Sequence, residues 1–208
     1  IVSVGAKGAG KTFTYLQICR TQTWRNFLEK LGQKHATVSG GLIYPLLVST
    51  NVEHDSLDVV RATRKECEAK LDFAPPNGVK MINTRITTAL REVNTDWDTF
   101  WEQIIIEEFD GSFKTFEDLN HWLQIKDESV VLVIDGIEDL FDSPEDDEVQ
   151  RNAIKSLLQL PNRLNHLEKR RIGLVCFVRA DYVQAVIRQK AREGRRGEGE
   201  NLAINPPC

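Results

Sequence analysis

The sequence predicts an α/β fold, a three-layer sandwich with a mostly parallel central sheet. Short apolar runs rich in β-branched residues, IVSV at the start, LIYPLLVS at 42–49, VVLVID at 130–135 and GLVCFV at 173–178, read as buried strands. Segments with helix-favouring spacing lie between them, so strands and helices alternate along the chain. No internal repeat and no heptad seam points to another architecture.

Each element has a local reason. IVSV ends at Gly5, and TFTYLQICRTQTWRNFLEKLG, beginning at Thr12, reads as one helix closed near Gly32 by a glycine terminator. In the second strand Pro45 cannot donate to a ladder, which favours an edge position or a bulge. SLDVVRATRKECEAKL at 56–71 reads as a helix capped by Ser56, and FAPPNG at 73–78 breaks it. After a variable stretch, DWDTFWEQIIIEEF at 96–109 and SFKTFEDLNHWLQI at 112–125 read as two helices, the second with a capping box of Thr115 and Asp118. Their crowd of aromatic residues, including Trp97, Trp101 and Phe109, reads as helical core in preference to a base-stacking platform. SPEDDEVQRNAIKSLLQLPNRL follows VVLVID as a helix that Ser143 or the acidic cluster starts and Pro161 ends. ADYVQAVIRQKARE after Arg179 is a last helix.

Length and composition suit one domain of 208 residues whose net charge of −4 comes from mixed signs, so no whole-surface attraction to nucleic acid or membrane is expected. Residues 1–193 form the expected core, with 51–128 as a helical insertion and 194–208 as a tail or a connection to further domains. A chain that opens inside a buried strand is expected to be a piece of something larger. Cys19, Cys67, Cys176 and Cys208 form no CxxC pair, which suits a reduced, cytoplasmic setting, and no run approaches the ~18 apolar residues of a membrane helix. His54, His121 and His166 share no ligand spacing, so the only metal expected is one brought by a nucleotide.

The chemistry concentrates in GAKGAGKT, residues 5–12, which meets G-x-x-x-x-G-K-[ST] at every fixed position between a strand and a helix. Gly5, Ala6, Lys7, Gly8, Ala9, Gly10, Lys11, Thr12 and Phe13 are the expected nucleotide-binding set. Backbone N–H groups of such a loop wrap a polyphosphate lying on the positive end of the next helix. Lys11 reaches the terminal phosphates, and Thr12 and Asp135, at the end of VVLVID, are the expected Mg2+ ligands. Hydrolysis also needs a group that holds water, for which Glu138 is the first choice and Asp139 the second, against the alternative of carboxylates favoured at a helix start. Arg179, closing GLVCFV, reaches the same rim if its strand neighbours the other two, as a γ-phosphate sensor or, alternatively, as a salt-bridge residue.

GAKGAGKT, VVLVIDGIED and GLVCFVRAD together resemble the additional-strand P-loop ATPases, over about residues 1–190. The spacing of acids after Asp135 is similar to that of STAND and NACHT proteins and unlike AAA+ proteins, in which Glu follows the aspartate directly where this chain has Gly136. STAND and NACHT sequences commonly show Asp then Glu where this chain has Glu138 then Asp139. No Asn-Lys-x-Asp motif is present, which argues against a GTPase, and the lysine of partition ATPases would stand at Ala6, so Lys7 reads as a solvated loop residue. The resemblance implies an ATP-driven conformational switch or oligomerisation motor that exchanges ADP for ATP, working as a homo-oligomer or a subunit of a larger assembly, in many bacterial cases in antiviral defence. Two other readings are a phosphotransferase, with a second substrate pocket in the 51–128 segment, and a non-hydrolysing scaffold holding nucleotide. A nucleic-acid-dependent ATPase would use Arg188, Lys190, Arg192, Arg195 and Arg196, for which a solvated face is the preferred reading.

Overall fold

The computed structural model describes residues 1–33, 40–75, 79–92 and 94–187. Within them the strands are β1 (Val2–Gly5), β2 (Leu42–Leu47), β3 (Val130–Ile134) and β4 (Ile172–Arg179), and they form one sheet in the order β1-β4-β3-β2. Every pairing is parallel. The α/β class and the parallel sheet therefore hold, with β2 at an edge and its register shifting between Pro45 and Leu47. A missing N–H is tolerated in just those circumstances.

Strand pleating divides the core. Leu42, Tyr44 and Leu46 of β2, Leu132 and Ile134 of β3, and Leu174, Cys176 and Val178 of β4 pack in one cluster. The alternate residues Ile43, Val133, Val175 and Phe177 pack in a second. The second cluster is closed by α1 (Lys11–Thr21) and by Val60 of α3 (His54–Leu71). The first is closed by α4 (Val79–Ala89), α5 (Trp97–Ile106), α6 (Phe116–Ile125) and α7 (Glu148–Asn165). Helices thus cover both faces, as in a three-layer sandwich. Trp97, Trp101, Phe109 and Phe116 are buried in the first cluster, so these aromatic residues serve the core.

Four sequence expectations need correction. The helix expected from Thr12 to Gly32 breaks into α1 and α2 (Trp24–Lys30) at Gln22, which takes φ 60°. Residues at the break serve β2 instead: Ile43 N–H donates to Gln22 C=O at 2.9 Å and Trp24 N–H to Gly41 C=O at 2.8 Å. Ser56 is no cap, because α3 starts at His54 and the Ser56 N–H already bonds to the Glu53 carbonyl inside the first turn. The variable stretch contains α4, whose Ile82, Ile86 and Ala89 are buried. Pro161 does not end α7, which continues to Asn165. Its absent N–H removes the regular helical hydrogen bond to the Leu157 carbonyl, yet Leu157, Leu160 and Leu164 are all buried on one stripe and hold the helix through the fault.

The capping box of Thr115 and Asp118 is present at the start of α6. Residues 180–187 form a further helix, α8. The basic tract from Arg188 onward, the 194–208 tail and Cys208 lie outside the described residues. No helix among the described residues is long and apolar enough to cross a membrane.

One buried ion pair ties three elements together. Arg64 of α3 pairs with Glu108, just past α5, donates to the Tyr44 hydroxyl of β2 at 2.7 Å and lies over the Tyr44 ring. Removing one partner of such a pair strands a charge in the core. Glu68, 3.8 Å from Arg64, compensates only in part. Glu108→Ala is expected to lower unfolding stability by about 3 kcal/mol in urea denaturation, and a loss under about 1 kcal/mol would contradict this role.

Candidate functional site

Parallel pairing brings the carboxyl ends of all the strands to one rim, and the sequence-predicted residues gather there. Gly5, the last residue of β1, is the register partner of Arg179, the last of β4. Because β4 lies between β1 and β3, the condition set for Arg179 is met and the three segments are neighbours.

The glycine loop turns into α1 through Gly8 at φ 82° and Gly10 at φ 76°. Gly10 is the N-cap and offers no side chain, so the first N–H groups of α1 have no capping oxygen from it. A Cβ on Gly5 would stand 3.1 Å from that of Ala9, closer than the loop allows without shifting. Lys11 is buried, and its ammonium donates to the carbonyls of Gly5 and Ala6 at 3.3 and 3.1 Å. Thr12 is half-buried, whereas Ala6, Lys7, Gly8, Ala9 and Phe13 are exposed. Lys7 thus stands in solvent.

Asp135 follows β3 and is fully buried, with no completed hydrogen bond on either carboxylate oxygen. Burial dominates and pushes its pKa up from 3.8 to about 6. The Thr12 hydroxyl, the Gly136 N–H and the Lys11 ammonium lie close enough to pull it down, while Glu138 pushes it up. Those four neighbours define the site: the loop's Lys11 and Thr12 face the carboxylates of β3 and the turn beyond it. An unsatisfied buried carboxylate is costly, and a cation is the group that offsets it. Among the described residues no cluster of three or more His, Cys, Asp or Glu side chains makes an all-protein metal cage.

Gly136 explains the spacing of the acids. It has φ 86°, and a Cβ there would fall on the backbone of Ser49, in the loop after β2. No acid can follow Asp135 directly in this packing. The 3-10 turn Ile137–Asp139 then carries two carboxylates with different fates. Asp139 accepts from the Thr50 N–H at 2.6 Å and from the Asn51 side-chain amide at 3.3 Å, so both its oxygens are committed to the loop after β2. Glu138 keeps one buried oxygen, Oε2, without a partner.

Arg179 forms a fork with Asp181: Nε donates to Oδ1 at 3.1 Å and Nη2 to Oδ2 at 2.5 Å. Its guanidinium also lies 5.1 Å from the Tyr182 ring centroid, and the Tyr182 hydroxyl donates to the Phe141 carbonyl. The salt-bridge alternative for Arg179 is therefore realised in this structure. Sequence reasoning missed Asp181, Tyr182 and the Ser49–Asn51 loop, since nothing in their local pattern marks them. It also missed Tyr15 of α1, whose buried hydroxyl is held well above its ordinary pKa by desolvation, with Cys19 and Asp135 adding to the effect.

A cavity of about 380 Å³ opens at the opposite rim, lined by Trp24, Gly41, Ser129, Pro161 and Arg170 among others. It contains none of the predicted site residues. None of the buried unpartnered polar atoms found among the described residues lines it either. Comparison with protein-family models, with curated proteins and with solved structures gave no match.

Because the folded-state pKa of Asp135 exceeds the ordinary value, its ionisation opposes folding. The penalty is absent below pH 3.8, grows between there and about 6, and is complete above. Asp135→Asn is expected to stabilise the protein without added nucleotide by roughly 2 to 3 kcal/mol at neutral pH and by almost nothing near the bottom of that window. Denaturant titrations at both pH values check this, and an equal change at the two would contradict it.

Proposed function

We propose that this chain is a Mg2+-dependent ATPase core of the additional-strand P-loop group, acting as a nucleotide-dependent switch within a larger assembly. The observation that supports this above the others is the buried Asp135 carboxylate, with both oxygens unpartnered, facing Thr12 and Lys11 of a glycine loop that opens a helix. The donor set fits the ion: Mg2+ takes oxygen ligands, keeps several waters and is held by one or two carboxylates together with phosphates. When bound, the ion neutralises charge that develops on the transferring phosphoryl group.

The chain's own residues would do the remaining work. Backbone N–H groups of Gly8 and of Gly10 to Phe13 bind and orient the polyphosphate, assisted by the helix dipole, while the Ala9 N–H holds the loop's own turn by donating to the Ala6 carbonyl at 3.2 Å. Lys11 exchanges the carbonyls of Gly5 and Ala6 for terminal phosphate oxygens, a change from neutral to charge-assisted hydrogen bonds. Glu138, with a free oxygen, holds the attacking water and takes its proton as the bond to ADP breaks. Asp139, whose oxygens are occupied, fixes the turn that carries Glu138. The exposed Phe13 and the parallel order of loop, Arg179 and Asp135 along one rim fit the same reading.

Mg2+-dependent phosphate release by wild type and three variants tests it. Lys11→Ala is expected to weaken ATP binding about 10- to 100-fold. Glu138→Gln should keep ATP binding and lose about 10²- to 10⁴-fold in turnover. Asp139→Asn should cost turnover less than about tenfold while lowering stability by about 1 kcal/mol. Unchanged turnover in Lys11→Ala contradicts the proposal, and a larger catalytic loss in Asp139→Asn than in Glu138→Gln reverses the roles of the two acids. Turnover per chain that rises with protein concentration supports the assembly, and turnover that does not change argues for a monomer.

A further inference from the structure

Arg179 has two directions open to it. Its backbone is paired beside Gly5, the start of the glycine loop, yet its guanidinium turns toward α8 and forks onto Asp181. The pair is partly solvated, with side-chain exposures of 29% for Arg179 and 43% for Asp181. Ion pairs of that exposure stabilise little, so this one can be given up to a stronger anion. A terminal phosphate carries more charge than one carboxylate and matches the same planar fork of donors.

Asp181 also has a reason to stay where it is once Arg179 leaves. It lies in the first turn of α8, where a helix favours a carboxylate. Burial pushes its pKa up, but the guanidinium and the N–H groups of Asp181 and Tyr182 outweigh this and leave it lowered. Those N–H groups remain after the guanidinium departs. The departure would also uncover the ring of Tyr182, whose hydroxyl is bonded to Phe141, two residues after the turn that carries Glu138.

We propose that Asp181 is a counter-ion that sets the balance between tri- and diphosphate at this site: it holds Arg179 aside, and the third phosphate of a nucleotide draws the guanidinium across to the loop only at the cost of parting the pair. This rests on the nucleotide reading above. Asp181 is a positioning residue in this scheme, acting through Arg179 and touching no phosphate itself. The cost of parting the pair lowers the affinity for a triphosphate and leaves that for a diphosphate untouched.

The test is a set of equilibrium titrations with ATP and with ADP on wild type, Asp181→Asn, Arg179→Ala and the double variant, with folding monitored by circular dichroism. Asp181→Asn is expected to tighten ATP binding about two- to fivefold and to leave ADP binding unchanged. Arg179→Ala should weaken ATP alone, and adding Asp181→Asn to it should change nothing further. Asp181→Ser, which keeps an oxygen at the first turn of α8, should reproduce the gain if Asp181→Asn folds poorly. Equal changes for ATP and ADP, or a gain that survives without Arg179, would overturn the proposal while the nucleotide reading stands. Failure of the wild-type chain to bind ATP at all would overturn both.

Discussion

Parallel hydrogen bonding is the constraint on which this molecule depends. Once β1, β4, β3 and β2 pair in one direction, their carboxyl ends share a rim and every loop that leaves a strand must start there. Polar groups occupy each of those exits, with the glycine loop after β1, the Ser49–Asn51 loop after β2, Asp135 and its turn after β3, and Arg179 at the end of β4. Apolar residues on both faces then hold the rim in place, because alternate positions of each strand belong to separate clusters.

Rigidity at the rim comes from contacts between loops. Gly136 permits the backbone of the β3 exit to touch that of Ser49, and Asp139 fastens the same turn to Thr50 and Asn51. On the other side Tyr182 holds the Phe141 carbonyl. The Glu138 turn is thereby secured from two neighbouring exits, while its own side-chain oxygen and both of Asp135 stay unpartnered. Unsatisfied, buried carboxylates lower stability, and their concentration at one end of a well-packed sheet is the pattern by which sites give up stability for binding.

Much of this was legible in the sequence, for identifiable reasons. GAKGAGKT announces itself because its glycines and Lys-Thr pair have a fixed spacing, and VVLVID because a β-branched run ending in an acid suits few places other than a buried parallel strand. Local pattern failed where distant groups decided the outcome. Gln22 breaks a helix because β2 needs its carbonyl, Pro161 is tolerated because a buried leucine stripe spans it, and α4 was invisible until its isoleucines met β2. The two acids after Gly136 look alike in sequence, and only Thr50 and Asn51, far away in the chain, separate them. Asp181 carried no signal at all, since an aspartate at a helix start is ordinary.

The central claim is that the glycine loop and Asp135 make one Mg2+-triphosphate site, and direct calorimetric titration of the unaltered chain with ATP, with and without Mg2+, tests it most directly. The expected result is saturable binding of one ATP per chain that strengthens when Mg2+ is present and loses that dependence in Asp135→Asn. Absence of saturable binding, or binding indifferent to both Mg2+ and Asp135, would contradict it.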